Sequence, residues 1–314
     1  MDRDDAAFAD AWRDHHRYVL DVAYRMLGTV SDAEDVVQEA FTRLFRQERD
    51  QIQDVRGWLV VVVTRLCLDQ LRSARVKREA YVGPWLPEPV VEGDTVDPAD
   101  RITLDDSVRM AMLVVLERLT PAERATFVLH DVFGFSFEDV SKIVGRSVDA
   151  SRQLASRARR RIDDETAPAR FQVDTAELGR IADRFISAAS DGNLDALMDV
   201  LDPDVVGWTD SGGFFGAPLQ PVEGRDAVAR IFLSFVQRFG VTLSPLPING
   251  EPGVLATRDG QLVSVIALET RDGAITRLHG IANPDKLRYV ASVLAGRSSS
   301  RIHLGASDVP HETG

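Results

Sequence analysis

The sequence predicts a multidomain chain: two all-α domains, the second with a helix-turn-helix, followed by an α+β domain. Three observations predict it. From Ala6 to Arg78, and again from Ile102 to Asp163, apolar residues recur at helical spacing with few prolines or glycines. Between them, Glu79 to Asp100 carry Pro84, Pro87, Pro89, Pro98 and two glycines, a composition that resists helix and reads as an extended linker. After Ala167-Pro168, helical segments alternate with short β-prone runs. At 314 residues the chain also exceeds the size at which a single core stops growing, about 250–300 residues.

In the first domain, residues 1–78, three or four helices are expected. Gly28-Thr29-Val30 breaks one, and Ser31-Asp32-Ala33-Glu34 has the form of a capping box that starts the next. That helix buries Val36, Val37, Ala40, Phe41 and Leu44 and turns Asp32, Glu34, Asp35, Gln38 and Glu39 outward. Such a face suits docking on a basic protein partner and equally a plain solvated surface. After a break from Arg49 to Arg56, a helix holds Trp58, Leu59, Leu66, Leu68 and Leu71. Its Val60-Val61-Val62-Val63 run favours strand locally, but the flanking periodicity outweighs it. Trp58 with Arg65, Arg72, Arg75, Lys77 and Arg78 suits melted DNA, although a lone tryptophan is more often core.

The linker, residues 79–101, is followed by a second domain, residues 102–165. Helix is expected from Ile102 to Leu119, and Thr120-Pro121-Ala122-Glu123 restarts it with an N-cap, a first-position proline and a capping glutamate. A short helix fits Ser136 to Val144, Gly145 supplies a turn, and Ser147 caps a last helix to about Asp163. In that helix Val148, Ser151, Ala155, Ala158 and Ile162 form a narrow inner face, leaving Asp149, Arg152, Gln153, Ser156, Arg157 and Arg160 outside. By charge alone this is a solvated basic face; the helix-turn-helix setting turns the reading to a major groove.

The third domain, residues 170–295, should contain helices at Asp174–Ser190, Asn193–Leu201 and Ala227–Phe239, with β-prone runs at Val205–Trp208, Val254–Ala256, Leu262–Glu269 and Ile275–His279. The tail, residues 296–314, is small and polar and is expected to be disordered. Asp204, Trp208, Asp210, Glu269 and His279 could line a pocket suited to acid–base work, but no compact motif links them, so no catalytic residue is assigned. Phe214, Phe215 and Phe232 would admit a small apolar ligand.

Composition narrows the function. A net charge of −12 looks unsuited to nucleic acid, but residues 43–78 hold nine basic against four acidic residues and 146–161 hold six against one, while 79–100 hold six acidic residues and no basic one. With a Debye length of about 8 Å, a phosphate responds to the local charge, so the total does not exclude DNA. The 44% hydrophobic and 27% charged composition excludes collagen-like and disordered classes, and the single cysteine, Cys67, excludes an internal disulfide. The N-terminal MDRDDAAFADAW lacks a signal-peptide pattern, and the apolar run Trp58–Val63 is far short of the about 20 residues that span a bilayer. A cytoplasmic protein without membrane contact, metal or cofactor is expected.

The segments LGTVSDAEDVVQEAFTRLFRQ, GWLVVVVTRLCLDQLR and LTPAERATFVLHDVFGFSFEDVSKIVGRSVDASRQLASRARRRI together resemble regions two and four of an extracytoplasmic-function sigma factor. Trp85-Leu86-Pro87-Glu88-Pro89 and Asn283-Pro284-Asp285-Lys286-Leu287 resemble marks of the sigma-J-like subgroup, which carries a cone-shaped α+β SnoaL-like domain at its C-terminus. The resemblance covers residues 6 to about 294. It implies a factor that brings core RNA polymerase, through its β′ and β subunits, to promoter DNA. The helix with Asp32, Glu34, Asp35, Gln38 and Glu39 would dock on β′. Asp50, Gln53, Trp58, Arg65 and Arg72 would open the minus-10 element, and Arg152, Gln153, Ser156, Arg157 and Arg160 would read the minus-35 element. The linker would thread polymerase channels. The last domain would regulate by intramolecular contact with the sigma domains or linker, through Trp85–Pro89, Asp210, Gly212, Gly213 and Asn283–Leu287. Relatives usually read Asp, three glycines and a basic residue at this loop, whereas here it is Asp210-Ser211-Gly212-Gly213-Phe214. The rival reading is a SnoaL-type enzyme or ligand-sensing domain fused to a DNA-binding regulator.

Overall fold

The computed structural model describes residues 3–47, 52–79, 81–91, 102–165, 175–297 and 303–304. Two units emerge: Met1–Glu79 with Val96–Pro168, and Ala80–Thr95 with Ala169–Gly314. The chain thus leaves the first unit at the start of the linker and returns to it beyond Thr95. Asp50, the Ala167-Pro168 boundary and all of the tail beyond 297 except 303–304 lie outside the described residues.

The first unit opens with α1 (Arg3–Leu27), α2 (Val30–Phe45) and α3 (Val55–Glu79). Leu20, Ala23, Tyr24 and Leu27 of α1, Val37, Ala40, Phe41 and Leu44 of α2, and Leu59, Val63, Cys67 and Leu71 of α3 are all buried. The four-valine run is helical, because Val60 and Val63 fall on the buried stripe that helical periodicity dictates. The expected N-cap at Ser31 is corrected. Thr29 is the N-cap and Thr29 Oγ1 donates to Asp32 at 2.6 Å. Val30 is buried, which draws the helix start two residues earlier and leaves Ser31 exposed in the first turn.

The expected helix from Ile102 is also corrected. Residues 102–105 are non-helical, Asp106–Val108 form one 3₁₀ turn, and α4 spans Met110–Arg118. The reason is polar: Asp21 of α1 accepts from Thr103 N at 2.7 Å and Thr103 Oγ1 at 2.5 Å, holding that strand of chain extended. α5 (Pro121–Phe127) starts with the full capping box of Thr120 and Glu123, and a π-turn at Val128–Val132 follows. α6 (Phe137–Val144), the turn at Gly145 and α7 (Val148–Glu165) complete the helix-turn-helix, with Ser151, Ala155, Ala158 and Ile162 buried as the spacing predicts.

The second unit has α8 (Thr175–Ser190), α9 (Leu194–Asp199), β1 (Leu201–Asp210), β2 (Val222–Glu223), α10 (Arg225–Phe239), β3 (Thr242–Pro245), β4 (Gly253–Arg258), β5 (Gln261–Arg271), β6 (Ala274–Ile281), α11 (Pro284–Arg297) and β7 (His303–Leu304). The sheet runs β2-β1-β6-β5-β4-β3, and β7 pairs with β5. β1 lies parallel to β6, while β6, β5, β4 and β3 alternate antiparallel. Alternation along the strands gives two faces. Val205, Leu278, Ile266, Val254 and Ala256 pack on Phe185, Phe232, Leu233 and Val236 of α8 and α10. The register Trp208↔His279↔Ala267 puts Trp208, Asp210, His279 and Glu269 on the opposite face. This is an α+β arrangement, helices packed on one face of a sheet, as the sequence predicts.

Candidate functional site

The linker is part of the second unit. Leu86 through Val91 are buried, although they lie outside every helix and strand. A buried extended chain must satisfy its backbone polar groups. Here Leu86 N donates to Asp210 Oδ2 at 2.8 Å, and Lys286 Nζ donates to the Leu86 carbonyl. Four residues on, Val90 N donates to Asn249 Oδ1 at 3.1 Å and the Val90 carbonyl accepts from Asn249 N at 2.7 Å. Between these anchors Pro87 and Pro89 have no N–H, so two donors that burial would otherwise orphan are absent. Burial thereby accounts for Leu86, Pro87 and Pro89 of the Trp-Leu-Pro-Glu-Pro segment.

Asp210 is the centre of this arrangement. Its side chain is fully buried at the end of β1 and accepts from Tyr81 Oη at 2.5 Å, Leu86 N and Lys286 Nζ at 2.5 Å. Lys286 Nζ also lies 3.8 Å from the centre of the Trp85 ring, a cation–π contact. Asn283 N-caps α11, its Oδ1 accepting from Asp285 N at 3.0 Å, and its Nδ2 donates to Tyr81 Oη at 2.7 Å. Pro284 follows at the first helical position, and the first turn then sets Lys286 over Asp210. Burial, followed by the hydrogen bond and charge of Asp210, pushes the Tyr81 phenol up, so it stays a donor. Gly212 and Gly213 have φ of +63° and +88°, and a Cβ at Gly212 would sit 2.9 Å from Asn283 Nδ2 while one at Gly213 would sit 3.3 Å from Val82. Tyr81, Asn249 and Val90 were not singled out from sequence. Asn249 carries the only available signal, an Asn-Gly pair with Asn249 at φ 54°.

In the first unit, Asp35, Gln38 and Glu39 are exposed on α2; Asp32 and Glu34 are half-buried. Gln53, Arg65 and Arg72 are exposed and Trp58 is half-buried. Arg152, Gln153, Ser156, Arg157 and Arg160 all lie exposed on the outer face of α7, with Arg152 paired to Asp149 at 3.0 Å. Arg72 of α3 and Arg157 of α7 line one cleft of about 560 Å³ together with Arg146.

Residues 11–76 match the family Sigma-70 region 2, and residues 109–162 match Sigma-70, region 4. The probable ECF RNA polymerase sigma factor SigI of Mycobacterium tuberculosis is 41% identical over 292 residues, spanning 91% of this chain and 97% of the relative. This chain belongs to the ECF RNA polymerase sigma factor family. The M. tuberculosis sigma factor SigJ is 42% identical over 283 residues, with 86% of this chain and 90% of SigJ covered. The crystal structure of SigJ aligns with TM-score 0.71 at 39% identity, covering 86% of this chain and 95% of that one, so the likeness extends into the α+β unit. As an ECF sigma factor, the protein binds core RNA polymerase and promoter DNA and acts in transcription initiation.

The sigma factor's α+β unit also holds a cavity of about 300 Å³, between α10 and the sheet face of Gly207, Thr209, Ser264, Ile266, Leu278 and Gly280. The expectation that Asp204, Asp210, Glu269 and His279 line such a pocket is corrected. Asp204 is exposed on β1, the other three belong to the opposite face, and only Trp208 reaches the pocket's edge. Strand alternation is the reason: residues 208, 210, 269 and 279 have the parity that points away from α10. Phe215 and Phe232 do line it, while Phe214 is exposed beside it. Neither Asp, Glu nor His is among the lining residues. Among the described residues no group of three or more His, Cys, Asp or Glu could hold a metal, and no helix is long and apolar enough to cross a membrane.

His279 is held on the far face by Glu269, Nε2 to Oε1 at 2.5 Å, and stacks on Trp208 with ring centres 5.2 Å apart. Arg277 also pairs with Glu269, at 3.1 Å. Burial alone would raise the Glu269 pKa, but the hydrogen bond and charge of His279, then Arg277, hold it below its ordinary 4.5. A depressed carboxylate adds stability that is complete above the unfolded value and lost as pH falls through the folded one. Urea midpoints should therefore fall as pH drops below 4.5, and Glu269→Gln should flatten that limb; an unchanged limb in the variant would assign the acid sensitivity elsewhere.

Proposed function

We propose that this is a self-restrained sigma factor, whose α+β unit withholds the linker that polymerase must receive. The observation that carries this reading is the anchoring of residues 81–91 at Asp210, Lys286 and Asn249. A linker hydrogen-bonded there is not free to thread a polymerase channel, so holding it opposes initiation and releasing it favours initiation. The shared cleft of Arg72 and Arg157 supports a closed form. Elements named minus-10 and minus-35 are offset by about 25 base pairs, roughly 85 Å at 3.4 Å per pair, so one cleft does not serve both.

In the open form, Asp32, Glu34, Asp35, Gln38 and Glu39 of α2 dock on the β′ subunit, with region four on β. Asp50, Gln53, Trp58, Arg65 and Arg72 engage the melted minus-10 element. Arg152, Gln153, Ser156, Arg157 and Arg160 read the minus-35 element. The protein works in the cytoplasm, where its polymerase is. Run-off transcription over a set of single-base minus-35 variants tests the recognition helix. Arg152→Ala should lose about 1–3 kcal/mol of discrimination at one position. An equal loss on every promoter would make it a phosphate contact instead.

A further inference from the structure

The cavity under α10 is built from Phe215, Phe232, Phe235 and Phe239, with Ile231, Val222 and Ile266 among its other apolar walls. Its rings are arranged around one another: Phe235 and Phe239 lie 5.5 Å apart, and Phe215 meets Phe239 edge-on at 5.8 Å. One charged side chain lines it, the exposed Arg238. The pocket wall at Phe215–Pro218 belongs to the same loop that begins at Asp210. Phe215 has φ 65°, an outlier for a bulky residue and the kind of strain that gathers at ligand sites. Four of the five exposed large apolar side chains among the described residues lie on or beside this loop and rim: Val82, Phe214, Leu219 and Ile231. On its other side the loop carries the linker, through Asp210 to Tyr81 and Leu86, and through the close approach of Gly213 to Val82.

We infer that this cavity binds a small aromatic carboxylic acid, its ring among the phenylalanines and its carboxylate on Arg238, and that occupancy tightens the hold on the linker. The volume matches a one- or two-ring body, since ligand pockets start at about 300 Å³. Aromatic walls favour a flat aromatic guest, and a lone guanidinium at the rim selects a single anionic head. With no Asp, Glu or His in the lining, the site binds without acid–base turnover. Because the loop in its linker-holding conformation forms one wall, a ligand that fits that wall stabilises that conformation. The regulatory half rests on the restrained-linker reading; the binding half does not.

The test uses the full chain with 2-naphthoate and its neutral analogue 2-naphthalenemethanol as probes, by titration calorimetry. Both should bind saturably at one site. Arg238→Gln should weaken naphthoate about tenfold, the loss of one charge-assisted contact, and leave the alcohol unchanged, which also shows the variant is folded. Ala217→Trp, which fills the cavity, should abolish both. Absence of saturable binding to the unaltered protein, or undiminished binding to Ala217→Trp, overturns the site; equal weakening of both probes by Arg238→Gln overturns the assignment of the anion. Hydrogen exchange reads the coupling: at nine times the naphthoate Kd, the Leu86 amide should exchange about tenfold more slowly. Unchanged exchange with bound naphthoate overturns the coupling. Failure of the restrained-linker reading would show separately, as transcription indifferent to Asp210→Asn.

Discussion

Asp210→Asn is expected to free residues 81–86, the first half of the held linker segment. The carboxylate is fully buried and takes three donors at once, two of them from the linker and one an ammonium. An asparagine keeps one acceptor oxygen but turns an NH₂ toward groups that are themselves donors, and it removes the counter-ion of Lys286. Breaking a buried ion pair by removing one partner costs about 3–5 kcal/mol, because the remaining charge is left in a medium that solvates it poorly. The anchor at Asn249 does not depend on Asp210, so the expected result is a second unit that remains folded with residues 81–86 detached. Limited proteolysis should then cut the linker many times faster. Combining Asp210→Asn with Lys286→Met should recover part of the stability, since the orphaned ammonium is gone. A variant as resistant and as stable as the parent would mean the pair contributes nothing net.

Arg124→Leu should be the most damaging single change in the first unit. Arg124 is 1% exposed, and burial lowers its pKa to about 9. Its Nε donates to the Arg25 carbonyl at 3.0 Å and its Nη1 binds Glu117. That carbonyl is in the last turn of α1, where no intrahelical partner exists, so region four supplies the missing donor to region two. Arg25 reciprocates, reaching Asp105 at 3.0 Å, Ser107 at 2.7 Å and the Thr103 carbonyl at 3.0 Å. Two buried arginines therefore cross-stitch the regions. Leucine at 124 takes the guanidinium from Glu117 and the donor from Arg25, an expected loss of about 3–5 kcal/mol. At 2–4 °C per kcal/mol for a unit of this size, the melting temperature should fall by about 10 °C. A shift under about 2 °C by calorimetry would show that the stitch is energetically silent.

Much of this was legible in the sequence because local chemistry and tertiary packing agree. The Thr120–Glu123 capping box, the helix-turn-helix around Gly145 and the inner face of α7 follow from spacing alone. Where they disagree, packing decides: the burial of Val30 displaces the cap predicted at Ser31, and Asp21 unwinds the helix predicted from Ile102. β3 was missed because Thr-Leu-Ser-Pro is short and carries no strong alternation, and α11 because Asn283-Pro284 was read as a family mark rather than as a cap and first-turn proline. The linker's docking could not be read from the residues themselves; only the resemblance named Trp85–Pro89, Asp210 and Asn283–Leu287 as contacts, and Tyr81, Val90 and Asn249 carried no such mark. The linker's partners Asp210, Asn249 and Lys286 are 124 to 200 residues away, and nothing in Tyr81 or Val90 announces a partner at that range.

On the proposed reading, the α+β unit restrains the sigma factor by holding its linker. Promoter-specific run-off transcription with purified core polymerase, comparing the parent chain with Asp210→Asn at equal concentration, tests it most directly. Several-fold more transcript is expected from the variant, from the same start site. Equal or reduced transcript, with the linker shown by proteolysis to be free, would contradict it.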